Sequence, residues 1–456
     1  MDGKAISMMN TKLNRRSFLK RTTAAAAATA FPAIVPSRVF GETAPGNRIT
    51  MAFIGVGNQG TNDLQGFLSD DRIQVVAVCD VNRESPGYWS GSVRGRDYAK
   101  RLVDSYYTEK NEIPNYKGCD MYEDFRDVLA RKDIDVVEIA TPDHWHAALV
   151  VAAARAGKDI YCQKPLSLTI TEGRAMVNAV KRYGRILQTG SQQRSDYNFR
   201  RACELVRNGR IGKLETVKCG LPGGTTDYSG GLGVSTDPAP VPEGFNYDLW
   251  LGPAPAAPYC PARCHVNFRW VLDYSGGQLT DWGGHHPDIA QWGMGTEDTG
   301  PVKVINAKGK FADGPLWNTA TEYYFECIYA NGVKLIISNR VPGGVTFKGT
   351  DGTVWANRGA HKASSPEIMN SIIGPNEIHL YESNDHFRNF IDCVISRREP
   401  IAPVETAHRS ITLAHLGNIA MMTGRDLTWD PEAEQCVNDP GANTLLGRSW
   451  RAPWHI

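Results

Sequence analysis

The chain has 456 residues, which is long enough for two domains of ordinary size. Lysine and arginine total 50 against 49 for aspartate and glutamate, and the resulting net charge of +1 gives no electrostatic support for binding nucleic acid or a charged membrane surface. Beyond the first 45 residues no apolar run approaches the length of a membrane span, so none is expected in the mature chain.

Residues 1–45 have the layout of an export signal followed by a linker. Arg15 and Arg16 stand in the run Asn-Arg-Arg-Ser-Phe-Leu-Lys, and the alanine-rich stretch 22–31 that follows is too short to cross a bilayer. Small residues and prolines come next, and the arginine pair indicates the twin-arginine type of signal. We therefore expect an exported, periplasmic protein. The alternative is a basic tail followed by an alanine helix.

Residues 46–190 are predicted to form a nucleotide-binding Rossmann domain. A strand over Ile49–Ile54 runs into the glycine-rich run 55–60, a helix follows over 63–68, and a second strand over Ile73–Cys79 ends at Asp80. A strand, a glycine turn, a helix and a strand that ends in an acid about twenty residues after the last glycine form the arrangement of a dinucleotide site.

The glycine-rich run Gly-Val-Gly-Asn-Gln-Gly predicts how this site holds a pyrophosphate. Gly55 and Gly57 are needed because the turn is tight and the backbone must approach the phosphates closely, whereas Gly60 lets the helix pack on the strand. Asn58 and Gln59 belong to the same run, and the free N–H groups at the start of the helix that follows face the phosphates. All five residues are predicted to bind the cofactor.

Asp80 indicates which cofactor the site prefers. A carboxylate at the end of the second strand accepts hydrogen bonds from the ribose hydroxyls and repels a 2′-phosphate. The sequence therefore favours NAD over NADP.

Polar residues follow the next two predicted strands, over 135–140 and Asp159–Cys162, which are separated by a helix over 147–156. Ligands bind beyond the carboxyl ends of parallel strands, so these residues are expected to border the nicotinamide. They are Thr141, Pro142 and His146 after the first strand, and Lys164 after the second. The alternative makes the nearby prolines ordinary turn formers and Lys164 a solvated surface lysine.

These motifs resemble those of the Gfo/Idh/MocA oxidoreductases, the family of glucose-fructose oxidoreductase and inositol dehydrogenase. The matching parts are the glycine-rich run 55–60, the segment 141–146, the pair Lys164-Pro165, and the run Asp-Trp-Gly-Gly-His at 281–285. The resemblance implies an α/β fold in which the Rossmann domain is followed by an α/β domain with a large, mainly antiparallel open sheet. That second domain, here 191–456, would bind substrate and build homodimers or homotetramers. One position departs from the family, whose common Glu-Lys-Pro reads Gln163-Lys164-Pro165.

By the same resemblance, Lys164, Asp281 and His285 are the catalytic residues. If a helix begins near Asp281, then Asp281 and His285 lie one turn apart on one face. Oxidation of a secondary alcohol requires a base for the hydroxyl proton as the hydride leaves. His285, which ordinarily titrates near neutrality, is predicted as the main acid/base, Lys164 as the group that polarises the hydroxyl, and Asp281 as the substrate anchor. Lys164 and His285 can exchange roles.

No metal is predicted, although two clusters contain ligand-type side chains. His285, His286 and Asp288 form one, and His286 is equally well read as a helix-start residue without chemistry. Cys260 and Cys264 form the other, where a thiol pair or simple packing is favoured over zinc because no second ligand cluster is visible.

The second domain has fewer sequence signals. The glycine- and proline-rich stretch 221–261 is predicted to be a loop over the substrate mouth or an arm to a neighbouring subunit. Strands are predicted over 302–311, 321–330 and 333–339, with a hairpin turn at 330–332, and amphipathic helices over 385–396 and Val404–Thr423. The tail from Asp430 is predicted to be irregular. Candidates to stack on a sugar ring are Trp145, Trp250, Trp282 and Trp292.

These observations favour an NAD(P)-dependent oxidoreductase that transfers hydride between a secondary hydroxyl of a sugar, cyclitol or glycoside and a tightly bound nicotinamide. The cofactor is expected to be resident because the compartment outside the inner membrane supplies no free NAD. The alternative is a redox-neutral, NAD-dependent glycoside hydrolase or lyase that acts through a transient keto intermediate. A non-catalytic carbohydrate-binding protein is a third class.

Overall fold

Parallel strands with helices on both faces form the first half of the chain in this computed structural model, which describes residues 47–112, 114–225 and 235–456. The strands are β1 (Ile49–Ile54), β2 (Ile73–Cys79), β3 (Asp120–Tyr122), β4 (Val136–Ile139), β5 (Asp159–Cys162) and β6 (Leu187–Thr189). The helices among them are α1 (Asn58–Leu68), α2 (Arg96–Asn111), α3 (Phe125–Ala130), α4 (Asp143–Arg155) and α5 (Ile170–Tyr183). The sheet order is β3-β2-β1-β4-β5-β6.

The order of this sheet places a ligand site at its centre. β1 pairs with β2 on one side and with β4 on the other, and both pairings are parallel. The chain therefore winds in opposite directions on either side of β1, and the loops after β1 and β4 separate to leave a crevice. Burial on both faces explains the apolar run Met51–Ile54 in β1. β4 is buried throughout but includes Glu138.

The second sheet has nine strands among the described residues, in the order β13-β12-β11-β7-β10-β9-β8-β14-β15. Its strands are β7 (Leu214–Gly220), β8 (Lys303–Phe311), β9 (Ala320–Ile328), β10 (Lys334–Ser338), β11 (Gly344–Gly349), β12 (Thr353–Asn357), β13 (Ala360–Ala363), β14 (Leu427–Asp430) and β15 (Gln435–Cys436). β7 and β10 pair in parallel, whereas the other neighbours are antiparallel. This confirms the predicted fold class.

Helices of the second half cover one face of this sheet and return to the first. They are α6 (Tyr197–Arg207), α7 (Tyr247–Leu251), α8 (Gln278–Gly283), α9 (His286–Met294), α10 (Pro366–Met369), α11 (His386–Ser396), α12 (Val404–Thr423) and α13 (Pro440–Asn443). α12 contacts α5 of the first half and α8 and α9 of the second. α11 packs on the first half of the chain, where the Phe387 ring lies 4.7 Å from that of Phe67 in α1 and 5.7 Å from that of Tyr161 in β5. One hydrophobic core thus continues from the first sheet into the second.

Most predicted elements are present, with shifted ends. The strands predicted over Ile49–Ile54, Ile73–Cys79 and Asp159–Cys162 match β1, β2 and β5. The hairpin between β9 and β10 is confirmed, with Gly332 at φ +84° in its turn. The tail beyond Asp430 contains β15 and α13, so the prediction of an irregular tail is partly wrong.

Two predictions concern residues that the structure does not describe. The proposed signal and linker, 1–45, lies outside the described residues, as does 226–234 within the glycine- and proline-rich stretch. None of the described helices combines the length and apolarity needed to cross a membrane.

Candidate active site

The glycine turn after β1 leaves no room for side chains. Gly55 has φ +89°, and a Cβ there would lie 2.8 Å from the carbonyl carbon of Ala140 at the end of β4. A Cβ on Gly60 would lie 1.9 Å from the carbonyl oxygen of Gly55. These contacts bring the start of α1 directly onto the carboxyl end of the sheet, with the first N–H groups of the helix facing the crevice.

Asp80 holds this turn in place. One carboxylate oxygen accepts a 2.8 Å hydrogen bond from the backbone N–H of Val56, and the other accepts one of 2.8 Å from the N–H of Asn82. Burial raises the pKa of Asp80. Each carboxylate oxygen has a second lone pair, so Asp80 can hold the turn and still accept a ribose hydroxyl.

A cavity of about 330 Å³ runs along the crevice from Asp80 to Asp281. That volume is within the range of small-molecule and cofactor sites. Most of the predicted cofactor residues line it: Gly55, Gly57, Asn58, Gln59, Asp80, Thr141, Pro142 and Lys164. Gly60 lies beneath it against β1, in agreement with its predicted packing role.

Two segments, 81–95 and 244–270, together cover the cavity, and we call them the roof. They are joined by backbone hydrogen bonds from Arg83 N–H to Gly244 (2.8 Å) and from Asn246 N–H to Val81 (2.9 Å). The ring of Tyr88 lies directly over Gly57, where a Cβ would come within 2.9 Å of it. The roof therefore links the two halves of the chain across the mouth of the nucleotide crevice.

Trp89 completes the roof next to the glycine turn. With the Asn58 amide oxygen turned toward it, Asn58 accepts hydrogen bonds from the backbone N–H (2.8 Å) and indole N–H (3.2 Å) of Trp89. The guanidinium of Arg269 stacks 5.2 Å from the Trp89 ring. Trp89 is nevertheless 52% exposed, so it forms part of the cavity mouth.

Lys164 and Asp281 meet at the far end of the cavity. The Lys164 ammonium donates a 2.8 Å hydrogen bond to the Asp281 carboxylate, and both side chains are mostly buried. The Arg269 guanidinium lies 3.9 Å from the same oxygen. Burial alone would raise the pKa of Asp281, but the charges of Lys164 and Arg269 outweigh it and hold that pKa well below its ordinary value. Asp281 is therefore ionised at neutral pH.

The predicted single helix through Asp281 and His285 is wrong. α8 ends at Gly283, and His285, with φ −120° and ψ −83°, precedes a separate helix, α9. The break still keeps the motif next to the lysine, because a Cβ on Gly284 would lie 3.0 Å from the Cβ of Lys164. Ser191 fixes the break by donating a 2.9 Å hydrogen bond to the Gly284 carbonyl.

His285 does not titrate near neutrality as the sequence led us to expect. Burial, followed by the charges of Lys164 and Arg358, lowers its pKa well below the ordinary value. Its Nδ1 is buried and has no hydrogen-bond partner. At neutral pH the imidazole is uncharged, with one ring nitrogen that carries a hydrogen and another that can accept a proton.

Two other predicted histidines are held by backbone carbonyls. His146 lies beneath the cavity, with Nδ1 2.8 Å from the Pro165 carbonyl and Nε2 2.9 Å from the Thr141 carbonyl. It thereby ties the two segments that carry Thr141 and Lys164. His286 Nδ1 lies 3.0 Å from the Gly220 carbonyl, at the first position of α9.

Asp143 is a cavity residue that sequence reasoning missed. It is the first residue of α4, lines the cavity and is 4% exposed. Burial raises its pKa to about 7, although Ser275 hydrogen-bonds to it and lowers the pKa in part. Asp143 stood inside the Thr-Pro-Asp-His-Trp-His run, but nothing in its spacing indicates burial beside Lys164.

Gln163 replaces the family's glutamate, and Asp63 and Glu138 lie behind it. Gln163 Nε2 donates a 2.6 Å hydrogen bond to one oxygen of Asp63, and Gln59 donates a 2.8 Å bond to the other. Burial raises the pKa of Asp63 to about 6 and that of Glu138 well above its ordinary value. Acidic groups are therefore present next to the lysine segment despite the substitution.

The remaining predicted groups lie in packed surroundings. Cys260 and Cys264 are free, buried thiols, and burial raises the pKa of Cys264 well above its ordinary value. Trp292 is buried beneath the guanidinium of Arg194, 5.0 Å from its ring. Trp145 and Trp250 are also buried and line the cavity, while Trp282 is half-buried and contacts His286.

The cavity fits a dinucleotide. Glycines at 55, 57 and 60 leave the backbone bare, the N-terminus of α1 supplies N–H groups, and Asp80, beside the same turn, keeps free lone pairs. At the other end, the Lys164 amine and the Asp281 carboxylate line the cavity from the two halves of the chain. The buried His285 imidazole does not line the cavity but lies within electrostatic range of both. A nucleotide cradle that leads to such a set defines a dinucleotide-dependent oxidoreductase.

The family follows from comparison with known proteins. Residues 202–456 match the description "Oxidoreductase family, C-terminal alpha/beta domain", and residues 49–191 match "Oxidoreductase family, NAD-binding Rossmann fold". The chain belongs to the Gfo/Idh/MocA oxidoreductase family.

Relatives of known sequence are similar over part of their length. The myo-inositol 2-dehydrogenase of Thermotoga maritima is 30% identical over 269 residues, which are 57% of this chain and 60% of that protein. A glycosyl hydrolase family 109 protein of Shewanella baltica is 27% identical over 222 residues, 44% of each chain. The uncharacterized oxidoreductase YrbE of Bacillus subtilis is 25% identical over 295 residues, 64% of this chain and 67% of its own.

Solved structures share the fold at low identity. The WlbA dehydrogenase of Bordetella pertussis, solved with NADH and UDP-GlcNAcA, has a TM-score of 0.59 at 18% identity, covering 84% of this chain and 99% of its own. The aldose-aldose oxidoreductase of Caulobacter crescentus has a TM-score of 0.57 at 19% identity, with the same coverage.

Proposed function

We propose that this protein is an NAD-dependent oxidoreductase that transfers hydride between a secondary hydroxyl of a sugar, cyclitol or glycoside and a tightly held nicotinamide. The observation that carries the proposal is the 2.8 Å contact between Lys164 and Asp281 at the end of a cavity that begins at the glycine turn. It brings a hydroxyl-polarising amine and a carboxylate anchor from two halves of the chain to one end of the cofactor site.

The chain's own groups have separate tasks in this reaction. The Lys164 ammonium, held by Asp281, donates a hydrogen bond to the substrate hydroxyl oxygen and makes its proton more acidic. The uncharged His285 imidazole accepts that proton. When bound, the nicotinamide supplies the hydride acceptor and returns the hydride in the reverse direction.

The roof supports a resident cofactor. Tyr88 and Trp89 lie over the glycine turn, and two backbone hydrogen bonds attach their segment to the second half of the chain. Because these contacts must open before a dinucleotide beneath them can leave, its exchange with free cofactor is slow. Retention suits a protein that works outside the cell's free NAD supply.

Export by a twin-arginine signal is part of the proposal, on the basis of Arg15 and Arg16. In a host with this pathway, a double Arg15→Lys, Arg16→Lys variant should remain in the cytoplasm, whereas the native chain should be recovered from the periplasmic fraction. Equal periplasmic recovery of both proteins would disprove this route.

Mass spectrometry of denatured protein tests the cofactor directly. Purified, dialysed protein should release NAD, and not NADP, at about one molecule per chain. Secondary alcohols of sugars should then produce the absorbance of the reduced nicotinamide. Lys164→Met and His285→Gln should abolish that signal while the protein still releases NAD. A dialysed protein that folds normally and releases no nicotinamide contradicts a resident cofactor.

A redox-neutral glycoside hydrolase or lyase is the second candidate. Buried Asp143, protonated below about pH 7, favours it because departure of an aglycone needs an acid beside the reaction centre. The similarity to glycosyl hydrolase family 109 proteins supports the same reading. Product analysis separates the two: a keto sugar indicates the oxidoreductase, and a released aglycone without net redox change indicates the alternative.

We also propose that the protein forms a homodimer or homotetramer through the outer face of the second sheet. Strand register aligns Glu326, Ile336, Lys218, Thr346 and Trp355 in one row across that face. Half-buried Ile336 and Trp355 supply apolar surface in this row, and aromatic residues are enriched in subunit contacts. Sedimentation analysis would detect the oligomer, and a monomer at micromolar concentration would exclude it.

A further inference from the structure

The end of the cavity at Asp80 is built by both halves of the chain, and the proposed reaction uses none of the other residues there. Val81 follows β2, Glu123 and Phe125 follow β3, and Leu249 lies on α7 of the roof; all four line the cavity. β3 is the neighbour of β2 in the parallel sheet, so the residues after both strands meet at one edge. Glu123 therefore lies beside the loop that carries Asp80.

Apolar side chains form the walls of this end. Phe125 of the first half and Leu249 of the second are each 8% exposed and belong to one hydrophobic cluster. Behind Phe125, the Trp145 ring lies 5.4 Å from it, and the Trp145 indole N–H donates a 2.9 Å hydrogen bond to the Trp250 carbonyl. Walls of this kind, with a few polar groups at their edge, suit a flat aromatic ligand.

Asn246 attaches α7 to the first half of the chain. Its backbone N–H donates a 2.9 Å hydrogen bond to the Val81 carbonyl, and its side-chain amide donates one of 2.7 Å to Glu123. Its amide oxygen caps α7 by accepting a 3.0 Å hydrogen bond from the N–H of Leu249. One residue thus fixes three of the residues that line this end of the cavity.

Glu123 keeps acceptor capacity toward the cavity. One carboxylate oxygen accepts the hydrogen bond from Asn246, and the other accepts one of 3.0 Å from the Arg96 guanidinium. Arg96 also donates a 2.8 Å hydrogen bond to the Asp80 carbonyl, which ties Glu123 to the acid after β2. Each oxygen of Glu123 has a second lone pair, and its side chain is 42% exposed. A donor on a ligand in the cavity can therefore reach it.

We propose that Glu123 selects the base of the dinucleotide by accepting a hydrogen bond from the 6-amino group of adenine, while Phe125 and Leu249 contact the ring. In a Rossmann site the pyrophosphate lies at the glycine turn and the ribose at the acid after β2, so the base lies beyond Asp80. This inference rests on the proposed NAD cofactor and adds the residues that recognise its base. Glu123 acts on cofactor specificity, far from the reacting carbon.

Competition between two dinucleotides tests this recognition without turnover. Nicotinamide hypoxanthine dinucleotide differs from NAD in that an oxygen replaces the 6-amino group, so it presents an acceptor to Glu123 where NAD presents a donor. Dialysed protein is incubated with an equal, large excess of both until the bound ratio is constant, and mass spectrometry quantifies the nucleotides released by denaturation. NAD should be bound in about 10- to 100-fold excess, the size of one hydrogen bond to a charged group.

Variants locate the contact. Glu123→Gln should reduce the preference to about 3-fold or less, because an amide donates to the oxygen as readily as it accepts from the amino group. In equilibrium dialysis, Leu249→Ala should bind both dinucleotides about 10-fold more weakly but keep the preference, since it removes an apolar contact common to both bases.

Glu382→Gln is the matched control. Glu382 pairs with Arg200 at 3.2 Å, and the Arg200 side chain is 13% exposed, against 12% for Arg96. Glu382 does not line the cavity, so this variant should show the native preference and the native affinity.

The outcomes separate this inference from the proposed reaction. Native protein that binds the two dinucleotides equally, or prefers the hypoxanthine form, overturns the inference, as does an undiminished preference in Glu123→Gln. Loss of the preference in Glu382→Gln also overturns it. These results leave the proposed oxidoreductase standing, which fails instead if no sugar reduces the bound nicotinamide. Protein that binds neither dinucleotide overturns both.

Discussion

Two carboxyl groups at one end of the cavity have opposite ionisation. Lys164 and Arg269 lower the pKa of Asp281, whereas burial raises that of Asp143 to about 7. Environments that separate the pKa values of neighbouring acids commonly assign one as an anchor and the other as a proton donor. Asp143 thus holds a proton below about pH 7 and loses it above.

The raised pKa of Asp143 therefore predicts that the reaction rate depends on pH. In glycoside cleavage, the direction in which the leaving group takes up a proton, the rate should fall as pH rises through about 7, because the donor ionises. Asp143→Asn should lower the rate and remove this limb between about pH 5 and 9, while cofactor content stays unchanged. Asp298→Asn, at an exposed acid, is the control. A limb near 7 that persists in Asp143→Asn would contradict the assignment.

The hydrogen bond between Gln163 and Asp63 predicts how a substitution at position 163 changes the free energy of unfolding. Gln163→Glu replaces a buried donor with an acceptor that faces Asp63, so two carboxyls compete where one hydrogen bond existed. We expect a loss of about 1–3 kcal/mol in the free energy of unfolding at neutral pH. The double variant Asp63→Asn, Gln163→Glu restores a donor and acceptor and should recover most of it. Urea unfolding measures both, and equal instability of the single and double variants would refute the pairing.

At the element scale, the sequence predicted strands better than helix ends. β1, β2 and β5 are apolar runs bounded by polar or glycine-rich turns, so their limits are visible in one dimension. α1 and α4 begin several residues before their apolar periodicity, because their first turns face a ligand crevice. The break before α9 had a signal in Pro287, since proline favours the first turn of a helix.

Part of the candidate site was predictable from the sequence, and part was not. Lys164, Asp281 and the glycine turn lie in short motifs that resemble those of the family, and the structure brings them to one cavity. The roof was not predictable, because Trp89 meets Arg269 across 180 residues of sequence through tertiary packing. Asp143 was missed for the related reason that burial, which raises its pKa, is a property of the fold.

Trp89 provides a test of the roof as an element. Trp89→Ala removes an indole that contacts the glycine turn through Asn58 and carries Arg269 on its face. Cofactor dissociation should accelerate by about 10-fold, the effect of losing one aromatic contact. Tyr197→Ala is matched in exposure, at 54% against 52%, and lies on α6 away from the cavity. Dissociation rates from fluorescence of released NADH measure the effect, and unchanged retention in Trp89→Ala would exclude the roof as a barrier.

At the scale of the whole molecule, the proposed reaction depends on how the two halves of the chain pack against each other. Lys164 follows the first sheet, while Asp281 and His285 belong to the layer of helices on the second. α11 and α12 return from the end of the chain to pack on the first half, and the hydrophobic core is continuous between them. The distance between amine and carboxylate is therefore fixed by the packing of the entire chain.

Histidine burial makes the whole molecule sensitive to acid. Nine of the eleven histidines have a lowered pKa, chiefly because burial disfavours the imidazolium: His144, His146, His265, His285, His286, His361, His386, His408 and His415. In the unfolded chain they bind protons below about 6.5. Unfolding near pH 5 therefore takes up protons at these sites, and stability falls as the pH drops.

Five buried acids act in the opposite direction, because their pKa values are raised: Asp63, Asp80, Glu138, Asp143 and Glu172. Above about pH 4 these acids still hold protons in the folded state, whereas the unfolded chain has released them. Their contribution therefore lowers the stability of the folded protein as the pH rises. The histidines outnumber them, and the melting temperature should rise from about pH 5 to about 7 and then level off. His415→Gln removes one buried imidazole whose pKa is lowered to about 4 and should make the rise shallower. Calorimetric melting curves measure both slopes, and a native melting temperature that is constant or decreases over this interval would show that the buried acids dominate.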